Sequence, residues 1–172
     1  ASKLALLGRK TLLVEMGTWS YLEKALELPF SVGFSAQKTP EGFDIALWKG
    51  EECLRDYIQY LVRVPWISEQ FLKNSWLRAL IQVAPGLREI AFLGKLTSGL
   101  RKHGPPLDYD CIVVDAVSTG HFISLLKTPA GLAAVAPRGP MRAQSESILK
   151  VLNDSELTHT MGGTILETDA FQ

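Results

Sequence analysis

The residues of this chain with the clearest chemical potential are Asp115 and, shortly after it, the tripeptide Thr119-Gly120-His121. Asp115 follows the apolar run 111–114, which predicts a buried strand that ends on a carboxylate. Ligands of α/β proteins lie at the carboxyl ends of the strands, so we expect this carboxylate at the ligand-binding edge. An ionised carboxylate there needs a cation or donors, and Mg²⁺ held through water is one natural solution. Thr119 and Gly120 would open a helix whose N-terminal N–H groups favour an anion such as a phosphate.

The same residues also permit a structural interpretation that involves no ligand. In that interpretation Asp115 caps the following helix and His121 packs inside the protein. A short apolar run that ends on one carboxylate occurs in both situations, so the residues alone leave the two interpretations open.

A second strand end near the start of the chain also carries a carboxylate. Strong helix formers end at Gly8, a C-cap signal, and the run Thr11–Met16 that follows is of strand type. Helix, glycine and strand form the second half of a βαβ unit, whose first strand we expect upstream of this chain. Glu15 and Gly17 therefore join Asp115 as candidate residues at the carboxyl edge.

The other strands and helices are predicted from periodicity and from glycine and proline signals. We expect further strands at 31–36, 43–48 and 158–166, and the first two could form a hairpin. We expect helices at 18–28, 51–63, 119–127 and 140–152, the third of them ended by Thr128-Pro129. Strands that alternate with helices predict an α/β fold with a mostly parallel sheet and flanking helices.

Residues 64–104 contain no convincing strand and are punctuated by prolines, which predicts a group of helices. We expect one domain over residues 1–172, with a helical subdomain of about 64–104 inserted between strands of the sheet. If Trp66, Phe71 and Trp76 are exposed, they could line a groove for an apolar helix of a client. They could also form the core of the subdomain, and the residues leave this alternative open.

The composition excludes several classes of protein. The chain has 172 residues, 47% of them hydrophobic, which suffices for one sizeable core. Its net charge is zero, so nothing basic indicates a nucleic acid partner, and no apolar run approaches the length of a membrane span. Cys53 and Cys111 stand alone, which fits a reducing cytoplasm better than a disulfide framework or a zinc site. We therefore expect a cytoplasmic protein.

The segment 115–121, Asp-Ala-Val-Ser-Thr-Gly-His, resembles a family signature when its flanks are included. With Leu125, Leu126 and Pro129 it resembles the pattern D-x-x-P-T-G-H…L-L…P of the ArsA-type anion-transporting ATPases. That family includes the arsenite-pump ATPases and the eukaryotic ATPases that deliver tail-anchored membrane proteins. Three further segments resemble the family in the same chain order: 8–14, 85–89 and 139–152. The resemblance thus covers about residues 3 to 167.

The resemblance implies a deviant P-loop NTPase-like fold that binds ATP and Mg²⁺ and works as a homodimer. Asp115 would contact the water shell of the magnesium ion. The tripeptide Thr119-Gly120-His121 would form a switch loop that senses the γ-phosphate. The aromatic residues of 64–104 stand where the family binds its client, so a hydrophobic client protein or membrane partner is implied.

The chain departs from the family pattern in ways that bear on activity. The glycine-rich phosphate loop is absent and the adenine-binding elements would lie beyond Gln172, so we expect the chain to be part of a longer protein. Gly17, a candidate of the nucleotide site, falls near the aspartate that positions the attacking water in the family, and Glu15 is the candidate substitute. Ser118 replaces the proline of the switch loop. This chain alone is therefore not expected to hydrolyse ATP.

Three functional hypotheses follow. The first is an ATP-hydrolysing switch that targets or handles a hydrophobic client. The second is a non-catalytic relative that binds nucleotide or a partner without turnover, suggested by the missing aspartate near Gly17. The third is an α/β interaction domain without nucleotide, in which Asp115 is a cap. Metalloid transport is disfavoured because Cys53 and Cys111 do not look clustered, and the zinc-bridging CxxC of the targeting ATPases is absent.

Overall fold

The computed structural model describes residues 1–62, 86–116, 118–135, 138 and 140–162. This part of the chain folds around a four-stranded sheet with the order β2-β3-β1-β4. The strands are β1 (Thr11–Met16), β2 (Gln37–Lys38), β3 (Asp44–Trp48) and β4 (Cys111–Asp115). β1 pairs in parallel with both β3 and β4, whereas the short β2 runs antiparallel to β3. The predicted α/β fold with a mostly parallel sheet and flanking helices is confirmed.

Helices cover both faces of this sheet. They are α1 (Ser2–Leu6), α2 (Leu22–Ala25), α3 (Gly50–Val62), α4 (Leu87–Leu96), α5 (Ser98–Arg101), α6 (Thr119–Val135) and α7 (Pro140–Leu152). α3 packs on α4, and α6 packs on α7. Among the helices of the described ranges, none is both long enough and apolar enough to span a membrane.

Two apolar clusters form the core because side chains alternate between the faces of each strand. On one face, Leu12 and Val14 of β1 pack with residues of α3, α4, α6 and α7. On the other face, Leu13 of β1 packs with residues of β3 and with apolar side chains of α1 and α2. β1 is therefore buried on both sides, which explains its nearly continuous apolar sequence.

A buried charge lies inside the larger cluster. Lys95 of α4 forms an ion pair with Asp56 of α3. The Nζ atom of Lys95 lies 4.7 Å from the ring centre of Phe34 and 5.0 Å from that of Trp48. The carboxylate and the two aromatic faces replace part of the hydration that the ammonium group loses on burial. This contact ties α3 and α4 to the end of β3.

Several predicted elements are confirmed with small shifts of their ends. β1, β3 and β4 lie where the apolar runs predict them, and α7 covers 140–152 as predicted. The helix predicted at 51–63 is found at Gly50–Val62.

Two predictions for the chain between β1 and β3 are wrong. The helix predicted at 18–28 is reduced to Leu22–Ala25, because the residues before it are held by a carboxylate of β1 instead of by helical hydrogen bonds. The segment 31–36 is not a strand, although Gly33 O accepts a 2.8 Å hydrogen bond from the N–H of Leu47. The antiparallel partner of β3 is β2, two residues long, so the expected hairpin forms further along the chain.

Two predictions in the second half of the chain also need correction. The break at Thr128-Pro129 is wrong, since α6 continues through Pro129 to Val135. Leu125 and Pro129 are both buried one turn apart, and this packing outweighs the hydrogen bond that proline removes. The strand predicted at 158–166 is absent from its described part, 158–162, and its remainder lies outside the described residues.

The predicted helical insertion is described only in part. Its residues 86–104 contain α4 and α5, and α4 contributes Ile90, Phe92 and Leu93 to the main core. Trp66, Phe71 and Trp76, the predicted client groove, lie outside the described residues. The insertion and the groove therefore stay predictions.

Candidate functional site

The carboxyl ends of β1 and β4 lie side by side and place two carboxylates in register. Glu15 and Asp115 are Cα partners across this parallel pair. Gly17 follows β1 directly, and α6 starts at Thr119, soon after the end of β4. The candidate residues of the nucleotide site therefore meet at one edge of the sheet, although the surroundings of the two carboxylates differ.

Glu15 is buried, with 5% of its surface exposed, and its carboxylate is engaged by the segment that follows β1. Oε1 accepts hydrogen bonds from the N–H of Tyr21 at 2.6 Å and of Leu22 at 3.2 Å. Oε2 accepts one from the hydroxyl of Ser20 at 2.5 Å. These groups lie at the start of α2, so Glu15 caps that helix from a neighbouring strand. The three donors satisfy the carboxylate, and its burial needs no metal ion.

Ser20 and Glu23 extend this network towards β3. The Ser20 hydroxyl accepts the N–H of Glu23 at 3.0 Å, and the Glu23 carboxylate accepts the N–H of Val32 at 2.9 Å. The chain next to Val32 in turn accepts the N–H of Leu47 in β3. Hydrogen bonds thus connect the end of β1 through α2 to β3, and they fix the segment between Glu15 and α2.

Asp115 is exposed at the end of β4. No hydrogen bond or ion pair reaches its carboxylate from the residues that the structure describes, including the first turn of α6. The interpretation of Asp115 as a helix cap therefore finds no support in this part of the chain. Nothing in the described ranges occupies this carboxylate, which fits a role as a cation ligand.

α6 starts at Thr119, four residues after Asp115. The carbonyl of Ser118 accepts the N–H of Phe122 at 3.0 Å, which begins the helical pattern. Thr119, Gly120 and His121 are all exposed, so His121 does not pack inside. The first N–H groups of a helix have no partner within it, and the macrodipole favours an anion there.

Packing further along α6 fixes where these residues lie. Phe122 and Leu125 belong to the main core and hold the start of the helix against the sheet. A Cβ atom added at Gly120 would meet no atom within 4 Å. Packing therefore gives no reason for a glycine here, whereas close approach of a ligand would.

Asp115 suits a magnesium ion that is held mainly by water. In the described ranges, no group of three or more His, Cys, Asp or Glu side chains could hold a metal ion. Mg²⁺ commonly uses one or two carboxylates together with waters and phosphate oxygens, so a single free carboxylate fits its chemistry. Burial raises the pKa of the Cys53 thiol to about 12, which makes it a poor ligand for a metalloid.

The capping network was not predicted from the sequence, although a signal for it exists. Ser20 and Glu23 have the spacing of a capping box, Ser-x-x-Glu, at the start of a short helix. The Glu23 side chain bonds to Val32 instead of returning to the backbone of Ser20. Glu15 caps the helix from the preceding strand, β1, and no sequence pattern within 18–28 predicts that hydrogen bond.

Part of the chain is similar to proteins that are named ATPases. Over 77 residues it is 38% identical to "ATPase BagA" of Mycobacterium tuberculosis and to "Putative ATPase Mb3704" of Mycobacterium bovis. The aligned region is 43% of this chain and 22% of each relative, so the chain matches about a fifth of the length of these curated relatives. No family model matches the chain. The comparison therefore supports a general relation to ATPases and leaves the family open.

Proposed function

We propose that this chain is the switch portion of an ATP-binding and ATP-hydrolysing protein of the ArsA-like family. The observation that carries the proposal is the exposed carboxylate of Asp115 beside the N-terminus of α6, at the carboxyl edge of a parallel sheet. The similarity to proteins named ATPases supports it over the aligned 77 residues.

Each residue of the edge has a role in this proposal. Asp115 would hold the water shell of Mg²⁺, and the bound ion would supply charge compensation for the phosphates. The N-terminus of α6 would bind the γ-phosphate, with the Thr119 hydroxyl and the backbone N–H of Gly120 as donors. His121 adds an exposed imidazole to the same turn. In this proposal the carboxylate of Asp115 would serve the metal ion, and the N-terminus of α6 would serve the phosphate.

Glu15 acts in this proposal as a positioning residue. To substitute for the family's aspartate, its carboxylate would have to accept a hydrogen bond from the attacking water. Its two oxygens already accept three hydrogen bonds from the start of α2, and breaking them would uncap that helix. Glu15 therefore holds Ser20, Tyr21 and Leu22, and with them the end of the segment that starts at Gly17.

The test is ATP turnover of the full-length gene product with Mg²⁺ present. Asp115→Asn keeps the size of the side chain but removes its charge, so we expect turnover to fall by roughly 100-fold, as for lost stabilisation of a catalytic metal. Glu156→Gln removes an exposed charge at a residue outside the candidate site and serves as the matched control. Equal turnover in the wild type and in Asp115→Asn would contradict the role of Asp115.

The remaining attributes of an ArsA-like ATPase belong to the same proposal. They are a homodimer, a hydrophobic client or membrane partner bound by Trp66, Phe71 and Trp76, no nucleic acid partner, and a cytoplasmic location. Sedimentation of the full-length gene product with and without ATP and Mg²⁺ tests the dimer. A variant with Trp66→Ala and Trp76→Ala that still binds a membrane-spanning peptide would contradict the client groove.

A non-catalytic nucleotide-binding relative is the second candidate, and one observation favours it. Glu15, the carboxylate that could substitute for the family's water-positioning aspartate, is buried and fully hydrogen-bonded, and the resemblance puts Gly17 near that aspartate's position. Such a protein would bind ATP with an affinity that depends on Mg²⁺ and on Asp115, but it would show no turnover. Calorimetric titration with ATP, run beside the turnover assay, separates the two candidates.

A further inference from the structure

The two outer strands of the described sheet differ in how well they are protected as edges. β2, at one end, consists only of Gln37 and Lys38. β4, at the other end, pairs with β1 in continuous register over 111–115, and its residues 111–114 are Cys-Ile-Val-Val. Edge strands are usually short, charged, proline-containing or bulged, because a regular apolar edge pairs readily with another strand. β2 is therefore protected as an edge, whereas β4 is not.

The side chains of β4 also lack full cover on both faces of the sheet. Val113 packs with the cluster that contains α1 and α2, while Ile112 and Val114 pack with the cluster on the opposite face. All three are only partly buried, although their partners on β1, residues 12–14, are buried. Parallel strands inside a sheet are apolar and buried on both faces. β4 therefore has the sequence of a central strand and the burial of an outer one.

Two connections between parallel strands show the hand of this sheet. From β1 to β3 the chain moves away from β4, and α2 packs on the face of Leu13. From β3 to β4 the chain moves in the opposite direction, and α3 and α4 pack on the face of Leu12 and Val14. Opposite directions on opposite faces give the same hand, in keeping with the right-handed rule for such crossovers.

α1 indicates where a strand that leads into it must lie. Ala1 and Ala5 pack on the face of Leu13, and the chain passes from α1 into β1. With the same hand, a parallel strand before α1 lies on the β4 side of β1. β4 already occupies the place next to β1, so the nearest free place is the outer edge of β4.

A strand after α7 is the alternative occupant of this edge. α6 and α7 pack on the face of Leu12 and Val14, so the same hand would direct a following parallel strand to the β4 side as well. Residues 153–162, which follow α7, form no strand. The half unit of helix, glycine and strand over α1 and β1 is present, and it calls for a strand before it. The observations therefore favour the strand before α1.

We propose that the outer edge of β4 binds a parallel strand that precedes Ala1 in the full-length gene product and leads into α1. The side chains of that strand should be apolar on both faces, because it extends both clusters of the core. β4 then becomes a central strand of a larger sheet. This contact involves no catalytic residue, so it is present whether or not the protein hydrolyses ATP.

Hydrogen exchange of the full-length gene product, followed by mass spectrometry, tests whether the edge is covered. If it is, the amides of 111–114 should exchange as slowly as those of 11–14 in β1. An open edge leaves every second amide of β4 without an acceptor, and these would exchange about 100-fold faster or more. β2 is the matched control for an open edge among the described strands. Exchange in β4 as fast as in β2 overturns the proposal.

Photo-crosslinking of the same full-length gene product identifies the strand that covers the edge. A diazirine analogue of leucine at Val114 should link to a peptide that precedes Ala1. Val114 lies on the face opposite α1, so a link to that helix does not imitate this result. The same analogue at Val14, its Cα partner between β3 and β4, is the control and should link only within residues 1–172. A link from Val114 to a peptide after α7, or to a second, isotope-labelled copy, overturns the assignment.

Discussion

Glu15 and Asp115 occupy equivalent positions on neighbouring parallel strands, yet their environments are opposite. Glu15 is buried and accepts three hydrogen bonds, whereas Asp115 is exposed and receives none from the described residues. A carboxylate with its full set of donors holds the structure together and has little capacity for a ligand. A carboxylate without donors contributes little to stability and remains available to a cation. The position in the sheet is shared, and the bonding of each carboxylate decides between these roles.

The strands that carry the two carboxylates also differ in burial, and β1 is the more buried of the two. Residues 11–15 of β1 are buried, while the apolar residues of β4 are only partly buried. β1 lies between β3 and β4, and β4 lies at the end of the described sheet. The structure therefore places the better buried strand, β1, at Glu15 and the less buried strand, β4, at Asp115.

The largest expected difference is between Glu15→Ala and Asp115→Ala. Glu15→Ala leaves two N–H groups at the start of α2 and a hydroxyl without their acceptor, so we expect the free energy of unfolding to fall by about 3 kcal/mol. Asp115→Ala should change it by less than about 0.5 kcal/mol, because the group removed is exposed and has no partner among the described residues. Urea denaturation followed by circular dichroism measures both values.

Glu15→Gln serves as the control for this comparison. The amide oxygen retains an acceptor in a side chain of nearly the same size, so the loss should be roughly half of that in Glu15→Ala. Equal losses of unfolding free energy in Glu15→Ala and Asp115→Ala would show that the hydrogen bonds of Glu15 add no stability to the end of β1.

The framework of the sheet was predictable because its signals are local. β1, β3 and β4 are apolar runs of strand length, each bounded by polar or turn residues, and their alternation with helices indicates parallel pairing. α7 follows the signal of a proline in its first turn. The position of Asp115 at the carboxyl edge follows from the same reasoning, since any residue that ends such a strand must lie there.

Three features could not be predicted from the sequence, because they depend on contacts with residues outside the local segment. The short α2 is shaped by Glu15, a side chain of the preceding strand, and no pattern within 18–28 reveals that acceptor. Pro129 continues α6 because burial outweighs its local tendency to end a helix. A cleft beside Trp19 is lined by three separate segments, 18–24, 32–34 and 47–52, so its existence depends on how they pack together.

A smaller difference is expected between the valines that are paired across the two strands. Val14 and Val114 are Cα partners, but Val14 is fully buried and Val114 is partly exposed. Val14→Ala removes two methyl groups from the core and should cost about 2 kcal/mol, and Val114→Ala about 1 kcal/mol. Both variants lose the same atoms, so the difference between their urea denaturation midpoints reports the difference in burial of the two side chains. A larger loss of unfolding free energy for Val114→Ala than for Val14→Ala would contradict the conclusion that β1 contributes more to stability than β4.

The smallest effect concerns Ser20, which links Glu15 to α2. Its hydroxyl donates to the Glu15 carboxylate and accepts the N–H of Glu23, so Ser20→Ala should cost about 1 kcal/mol, as for loss of a helix N-cap. If the two residues belong to one network, the losses in the double variant with Glu15→Ala should fall short of their sum by about 1 kcal/mol. The same Ser20→Ala change combined with Asp115→Ala should be additive, because no bond joins these residues in the described part of the chain. Additivity in both pairs would mean that Ser20 caps α2 on its own, and that Glu15 stabilises the end of β1 without holding the segment that follows it.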